Sequence, residues 1–96
     1  MADVRQTATF RNWHRGLRDR RAAARVTSRI ERLADGHVGD VKFIAEGVSE
    51  LRIDYGPGYR IYFTRRGTTI YLLLCGGDKS TQDRDIKTAK RLAKEV

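Results

Sequence analysis

The sequence predicts a two-layer α+β domain, in which an N-terminal helical hairpin packs on a mainly antiparallel sheet and a further helix follows at the C-terminus. Three observations predict this class. Apolar residues recur every three or four positions in the first third of the chain, they alternate at every second position from Val41 onward, and helical spacing returns after Gly77. Helices that are segregated from a consecutive run of strands are typical of α+β proteins. With 96 residues, the chain is predicted to form a single domain over 1–96.

The N-terminal third is predicted to be a short edge strand followed by two helices. Asp3–Ala8 can pair as the strand, and Thr7 or Thr9 can cap the first helix. Asp19 can cap the second helix, which is predicted to end at Asp35-Gly36. The apolar stripes of the two helices consist of Phe10, Trp13 and Leu17 and of Ala23, Val26, Ile30 and Leu33. Together the two segments indicate a helical hairpin.

The alternating region predicts about four strands. They are Val41–Ile44, Glu50–Tyr55, Tyr59–Thr64 and Thr69–Cys75. The last of these is almost continuously apolar, which indicates a central strand covered on both sides. Gly76-Gly77 is predicted to end it, and Ser80–Asp83 has the pattern of a capping box that opens the C-terminal helix.

Gly56-Pro57-Gly58 joins the second and third strands into a hairpin with two different faces. Leu51, Ile53, Ile61 and Phe63 share the apolar face. Arg52, Arg60 and Tyr62 are predicted to share the opposite, open face. Such a face suits a phosphate-bearing ligand, because arginine is always charged and binds phosphate with two parallel hydrogen bonds. In the alternative interpretation, the arginines pair with Glu50 and Asp54 and the tyrosines are packing residues.

Further cations extend this predicted surface. Lys42 points away from its apolar neighbours, and Lys79 lies in the glycine-flanked loop 76–81, whose free N–H groups at a helix start favour an anion. Cations interleaved with tyrosines such as Tyr59 are typical of single-stranded RNA binding. For Tyr55 and Tyr71 we favour packing roles.

Composition restricts the partners. The net charge of +8, with 15 arginines among 20 basic residues, favours nucleic acid, an acidic protein or a membrane surface. The many arginines of the helical hairpin, Arg11, Arg15, Arg18, Arg25, Arg29 and Arg32, form either a solvated outer face or a partner contact. The absence of a long apolar stretch or a signal-peptide pattern predicts a cytoplasmic protein. Cys75 is predicted to be a buried structural thiol, and we expect neither a metal nor another cofactor.

Metal-independent RNA cleavage needs a base for the 2′-OH, charge stabilisation at the phosphorus and an acid for the 5′-oxygen. Arginine suits the second role. It does not suit the first, because its pKa is above about 12. The sequence offers no well-placed histidine, so the acid and base would be a tyrosine, Lys79 or a carboxylate such as Asp78.

The sequence resembles the RelE/ParE superfamily of toxins, specifically the HigB-like, phage-derived "addiction module killer protein" group. The matching segments are Phe10…Trp13…Leu17, Arg21–Arg25, Gly39–Lys42, Gly47–Ile53, Tyr55–Phe63 and Leu72–Gln82. The resemblance implies a RelE-like fold and a type II toxin that cleaves mRNA on the ribosome and inhibits translation. It also implies a cognate HigA-like helix-turn-helix antitoxin, through which the complex binds operator DNA.

Transferred to this chain, the resemblance implies a set of site residues. The catalytic candidates are Arg52, Arg60, Tyr62 and Lys79, and the RNA-binding candidates are Lys42, Arg52, Tyr59, Arg60 and Lys79. The superfamily also contains inhibitors of DNA gyrase that act by protein binding, which leaves that activity as the alternative. A third possibility is a protein that acts only through its antitoxin and operator DNA.

Overall fold

The computed structural model describes residues 2–68 and 70–96 and contains one five-stranded sheet with helices on both faces. The elements are β1 (Asp3–Gln6), α1 (Ala8–Arg15), α2 (Arg20–Ala34), β2 (Val41–Ala45), β3 (Val48–Ile53), β4 (Tyr59–Arg66), β5 (Ile70–Gly77) and α3 (Gln82–Glu95), with a 3₁₀ turn at Lys79–Thr81 before α3. The strand order is β1-β5-β4-β3-β2, and only the β1–β5 pair is parallel among the described strands. In this part of the chain, no helix is both long and apolar enough to cross a bilayer.

The helical hairpin of α1 and α2 covers one face of the sheet. Phe10 of α1 and Val26 and Leu33 of α2 are fully buried there, against apolar residues of β3, β4 and β5. Both helices begin as predicted. Thr7 accepts a hydrogen bond from the Phe10 N–H at 3.0 Å, and Asp19 accepts hydrogen bonds from the first turn of α2.

The second face of the sheet is covered by α3. Ala89 and Leu92 of this helix pack in a second buried cluster with residues of β3, β4 and β5. The β4–β5 pairing shifts register after Tyr62, so that the consecutive residues Leu74 and Cys75 both pack in this cluster. Burial raises the pKa of the Cys75 thiol to about 12, and the prediction of a buried structural cysteine is confirmed.

The α+β class is confirmed, and three local predictions are corrected. The predicted edge strand is shorter, Asp3–Gln6, and makes a fifth strand that is parallel to β5. The last strand continues beyond Cys75 and includes Gly76 and Gly77 as its final two residues. The capping box belongs to Asp78 rather than Ser80, because the Asp78 carboxylate accepts a hydrogen bond from the Ser80 N–H at 2.8 Å.

The two strand glycines are required for space rather than for backbone conformation. A Cβ atom at Gly76 would overlap the Trp13 ring on one face, and a Cβ atom at Gly77 would overlap the Asp85 carboxylate on the other. Both helical layers can therefore approach β5 closely only because this pair has no side chains.

We expect Gly77→Ala to lower the free energy of unfolding by about 1–3 kcal/mol, because the added methyl group overpacks a filled site. At an open position the same change would reduce the entropy of the unfolded chain and stabilise the fold, so the sign of the effect tests the contact. Urea unfolding followed by far-UV circular dichroism measures it. Ser28→Ala, on the exposed side of α2, is the control and should change stability by less than about 0.5 kcal/mol.

Candidate phosphate-binding groove

A groove of about 430 Å³ lies where β3 ends and β4 begins. We call it the strand-end groove, and its lining residues are Asp40, Arg52, Ile53, Asp54, Gly58, Tyr59 and Arg60. The hairpin turn beside it contacts the loop between β5 and α3, because the Lys79 N–H donates to the Pro57 carbonyl at 3.4 Å. A Cβ atom on Gly58 would lie 3.6 Å from the Cβ atom of Lys79 and 3.7 Å from the Arg60 Nη1 atom. The loop thus brings the Cβ atom of Lys79 near the hairpin turn, while Lys79 itself lines a neighbouring depression at the start of α3.

The two arginines of the groove are neighbours on adjacent strands. Arg52 and Arg60 are directly opposite each other in the β3–β4 pairing, so their side chains lie on the same face of the sheet, as predicted. The Arg52 side chain is 40% exposed and forms an ion pair with Asp40. The distance between Arg52 Nη2 and Asp40 Oδ1 is 2.8 Å. This hydrogen bond raises the pKa of Arg52. Each guanidinium has a carboxylate partner, which offsets the repulsion between the two cations.

Arg60 is held from below by a buried carboxylate. Only 13% of its side chain is exposed, and its Nε atom lies 3.4 Å from the Oε2 atom of Glu50, which is 1% exposed. The Glu50 carboxylate also accepts hydrogen bonds from the Tyr62 hydroxyl at 3.0 Å and from the Gln82 Nε2 atom at 2.8 Å. At its outer end, the Arg60 Nη1 atom donates to the Gly58 carbonyl at 3.2 Å. These contacts fix the guanidinium between the core and the groove.

Tyr62 does not line the groove, and the prediction that it lies on an open face was wrong. Its side chain is fully buried under α3. Burial and the negative charge of Glu50 raise the pKa of Tyr62 far above its ordinary value. The phenol therefore stays protonated near neutral pH and serves as a hydrogen-bond donor to Glu50.

The other predicted site residues are divided by the fold. Tyr59 is half-buried in the groove wall, with its ring edge-on to Trp13 at 6.3 Å between centroids. Lys42 is exposed on the edge strand β2, opposite Glu50 in the strand pairing, and does not line the groove. The structure thus brings Arg52, Tyr59 and Arg60 together with Lys79 beside them, and it leaves Lys42 to one side.

Groups that could transfer a proton are few in this region. His14 contacts Thr27 at 3.3 Å between α1 and α2, on the opposite side of the sheet, and His37 is exposed in the loop after α2. The Asp78 pKa is lowered, chiefly because its side chain accepts a hydrogen bond from Ser80, which makes the carboxylate a weak base. Within residues 2–68 and 70–96, no cluster of three or more histidine, cysteine, aspartate or glutamate side chains could hold a metal ion.

Sequence reasoning missed two contacts around the groove: Asp40 pairs with Arg52, and Gln82 binds Glu50. Asp54, which the sequence offered as a possible pair of the arginines, lines the groove without an ion pair to any described residue. Asp40 and Gln82 are 12 and 32 positions from their partners along the chain. The only local signal for the Arg52 ion pair was Asp40 itself, just before β2. An aspartate at that place indicates a turn as readily as an ion pair.

The fold and the groove define a small α+β protein that presents paired arginines at one end of its sheet. By comparison with known proteins, the chain belongs to the family of Gp49-like phage-derived proteins, whose pattern matches residues 13–95. This family is associated with addiction-module killer proteins. A protein of Haemophilus influenzae described only as uncharacterized is 50% identical over 93 residues, which cover 97% of this chain and 94% of the relative.

We expect Tyr62→Phe to lower the free energy of unfolding by about 1–3 kcal/mol, because it removes a hydrogen-bond donor from a buried carboxylate. Tyr71→Phe is the matched control, since Tyr71 is also buried and its hydroxyl makes no hydrogen bond with the described residues. Urea unfolding of the two variants gives the comparison. Equal losses would contradict a specific role of the hydroxyl at Glu50.

Proposed function

We propose that this protein is the toxin of a type II toxin–antitoxin module and that it inhibits translation as a ribosome-dependent mRNA endoribonuclease. Its family supports the toxin assignment. One observation carries the proposed chemistry: Arg52 and Arg60 lie side by side across two strands, with Lys79 beside them, at an accessible groove. Two cations at one depression, with a third on the neighbouring loop, suit a phosphodiester in which negative charge develops during cleavage.

In this mechanism Arg60 stabilises the pentacovalent phosphorane. Its Nε atom faces the Glu50 carboxylate, and its Nη1 atom donates to the Gly58 carbonyl. The Nη2 atom bonds to no described residue and can therefore donate to a phosphate oxygen. The guanidinium is held before the substrate arrives, and charge stabilisation then needs no reorganisation. Arg52 would bind the same phosphate from the neighbouring strand.

Proton transfer is assigned to the remaining polar groups. The Lys79 ammonium can donate to the leaving 5′-oxygen, and the Asp54 carboxylate lines the groove as a candidate base for the 2′-OH. Both are less effective near neutral pH than a histidine would be. Orientation of the mRNA by the ribosome would offset this weakness, since holding the 2′-OH in line with the phosphorus removes much of the barrier.

The partner of such a toxin is a cognate antitoxin of the HigA-like helix-turn-helix type, which would connect the complex to operator DNA. The net charge of +8 favours an acidic segment in that antitoxin. Covering the strand-end groove would block the proposed chemistry directly.

Lys79→Ala is expected to abolish growth inhibition and to reduce mRNA cleavage at least about 100-fold, the usual effect of losing a general acid. Lys79 is exposed and bonds to no described residue through its ammonium, so its replacement should leave stability unchanged. Lys87→Ala, an exposed lysine on α3, is the matched control. Growth after induction and primer extension on cellular mRNA measure the two effects.

Arg60 needs a different design, because Arg60→Ala alone leaves the buried Glu50 without its counter-charge. We therefore compare Glu50→Gln with the double variant Glu50→Gln/Arg60→Met. Loss of cleavage in the double variant beyond the loss in Glu50→Gln supports the role of Arg60. A folded double variant that cleaves as well as Glu50→Gln would show that Arg60 does not bind the phosphate.

The alternative is a ParE-like inhibitor of DNA gyrase, which binds its target and needs no acid or base. The scarcity of suitable proton-transfer groups favours it, because Tyr62 is buried and the Asp78 pKa is lowered. A gyrase supercoiling assay with purified protein separates the two. Inhibition of supercoiling without new mRNA ends would replace the endoribonuclease proposal with this one.

A further inference from the structure

The helical hairpin carries a concentration of arginine that the strand-end groove does not use. Its members are Arg11, Arg15, Arg18, Arg20, Arg21, Arg25, Arg29 and Arg32. Among the described residues, none of them makes an ion pair with a carboxylate. By contrast, the β3 and β4 arginines of the groove are both paired. Uncompensated like charge on one surface opposes folding and indicates an anionic partner.

Four of these residues form a row along one flank of α2. Arg21, Arg25, Arg29 and Arg32 are spaced at i, i+4, i+8 and i+11, which places them on the same side of the helix. At 1.5 Å per residue the row is about 16 Å long. We call it the arginine track.

The middle of the arginine track is fixed in place. Arg29 donates through Nη1 to the Arg52 carbonyl at 2.8 Å and through Nη2 to the Val38 carbonyl at 3.0 Å. Arg25 lies over the Tyr55 ring at 4.6 Å from its centroid, and the Tyr55 hydroxyl donates to Asp19. Arg21 and Arg32, at the two ends, are exposed and bond through their side chains to no described residue.

The arginine track adjoins the strand-end groove. A depression of about 250 Å³ between α2 and β3 is lined by Arg25, Ser28, Arg29 and Arg32, and it shares Ile53 and Asp54 with the groove. The two depressions are therefore neighbours at the end of β3.

The surface chemistry favours one class of ligand. The large hydrophobic residues exposed among the described ones are Val38, Phe43 and Val96, and only Val38 lies beside the track, so the track lacks the cluster of apolar anchors of a protein interface. Single-stranded nucleic acid is bound by cations interleaved with open aromatic rings. Within the described ranges, the ring found at the track is that of Tyr55, and Arg25 covers it. A surface with cations but without open aromatic rings suits the phosphate backbone of a duplex, because the bases of a duplex already stack on one another.

We propose that the arginine track binds the phosphate backbone of double-helical RNA and so provides a second nucleic-acid contact beside the groove. Recognition of an RNA duplex by its shape and phosphates needs no base contacts. The choice of RNA over DNA rests on the proposed function, whereas the duplex-binding surface itself does not.

The test is binding of purified protein to a 20-base-pair RNA duplex, measured by fluorescence anisotropy over a series of salt concentrations. Arg21→Gln/Arg32→Gln removes two end residues without disturbing the anchored ones. We expect at least about a tenfold loss of affinity at 0.1 M salt and a reduction of about 2 in the slope of log K against log salt. Lys87→Gln/Arg91→Gln on α3 removes the same net charge and should change affinity less than about threefold.

The other arms identify the ligand and separate this proposal from the endoribonuclease. The assay measures binding alone, so its outcome does not depend on whether the protein cleaves RNA. Equal losses in the two double variants would reduce the track to a net-charge effect and overturn the proposal. Tighter binding of a DNA duplex, of the single RNA strand, or of a poly-glutamate peptide, each dependent on Arg21 and Arg32, would assign the track to that ligand instead.

Discussion

The structure depends on how it accommodates one buried charge, the carboxylate of Glu50. A carboxylate that is 1% exposed destabilises a fold unless it is paired and hydrogen-bonded. Here the three partners come from different places: Tyr62 and Arg60 from β4, and Gln82 from the first residue of α3. The charge therefore joins two strands to the helix that covers them.

The same constraint determines where the groove lies. On the face toward α3, Tyr62 and Cys75 are buried, whereas Arg52 and Arg60, nearer the strand ends, line the strand-end groove. Gly77 completes this row opposite Arg60, and its missing side chain admits Asp85 of α3. The buried core on this face thus ends next to the two arginines, and the Glu50 carboxylate at its edge holds the Arg60 guanidinium.

Local patterns predicted most of the fold, because capping residues and apolar periodicity act over a few residues. Thr7 and Asp19 were found as caps in this way, and the pairing of Arg52 with Arg60 followed from strict alternation across a short turn. Alternation could not reveal that α3 covers the face on which Arg60 and Tyr62 lie. A tyrosine between arginines in a strand is predicted to be exposed with them. Its ring is nevertheless a large apolar surface that can be buried once the hydroxyl has a hydrogen-bond partner. The contacts of Asp40 and Gln82 depend on distant segments meeting, for which the sequence carries no local signal.

Arginine and lysine are distributed differently over the two helical layers of the protein. The helical hairpin contains eight arginines and no lysine, whereas three of the five lysines, Lys87, Lys90 and Lys94, are on α3. Lys90 and Lys94 lie 3.6 and 3.4 Å from the Glu46 carboxylate, so part of their charge is compensated within the chain. Lysine is a strongly hydrated point charge that suits a solvated face, while the guanidinium is weakly hydrated and can bind two phosphate oxygens at once. If the excess charge served only solubility, either residue would suffice on both sides of the sheet. On α3, which also carries Arg84 and Arg91, most basic side chains have a carboxylate partner, whereas the arginines of α2 make no ion pair with a described residue. This difference favours a phosphate ligand at the hairpin side.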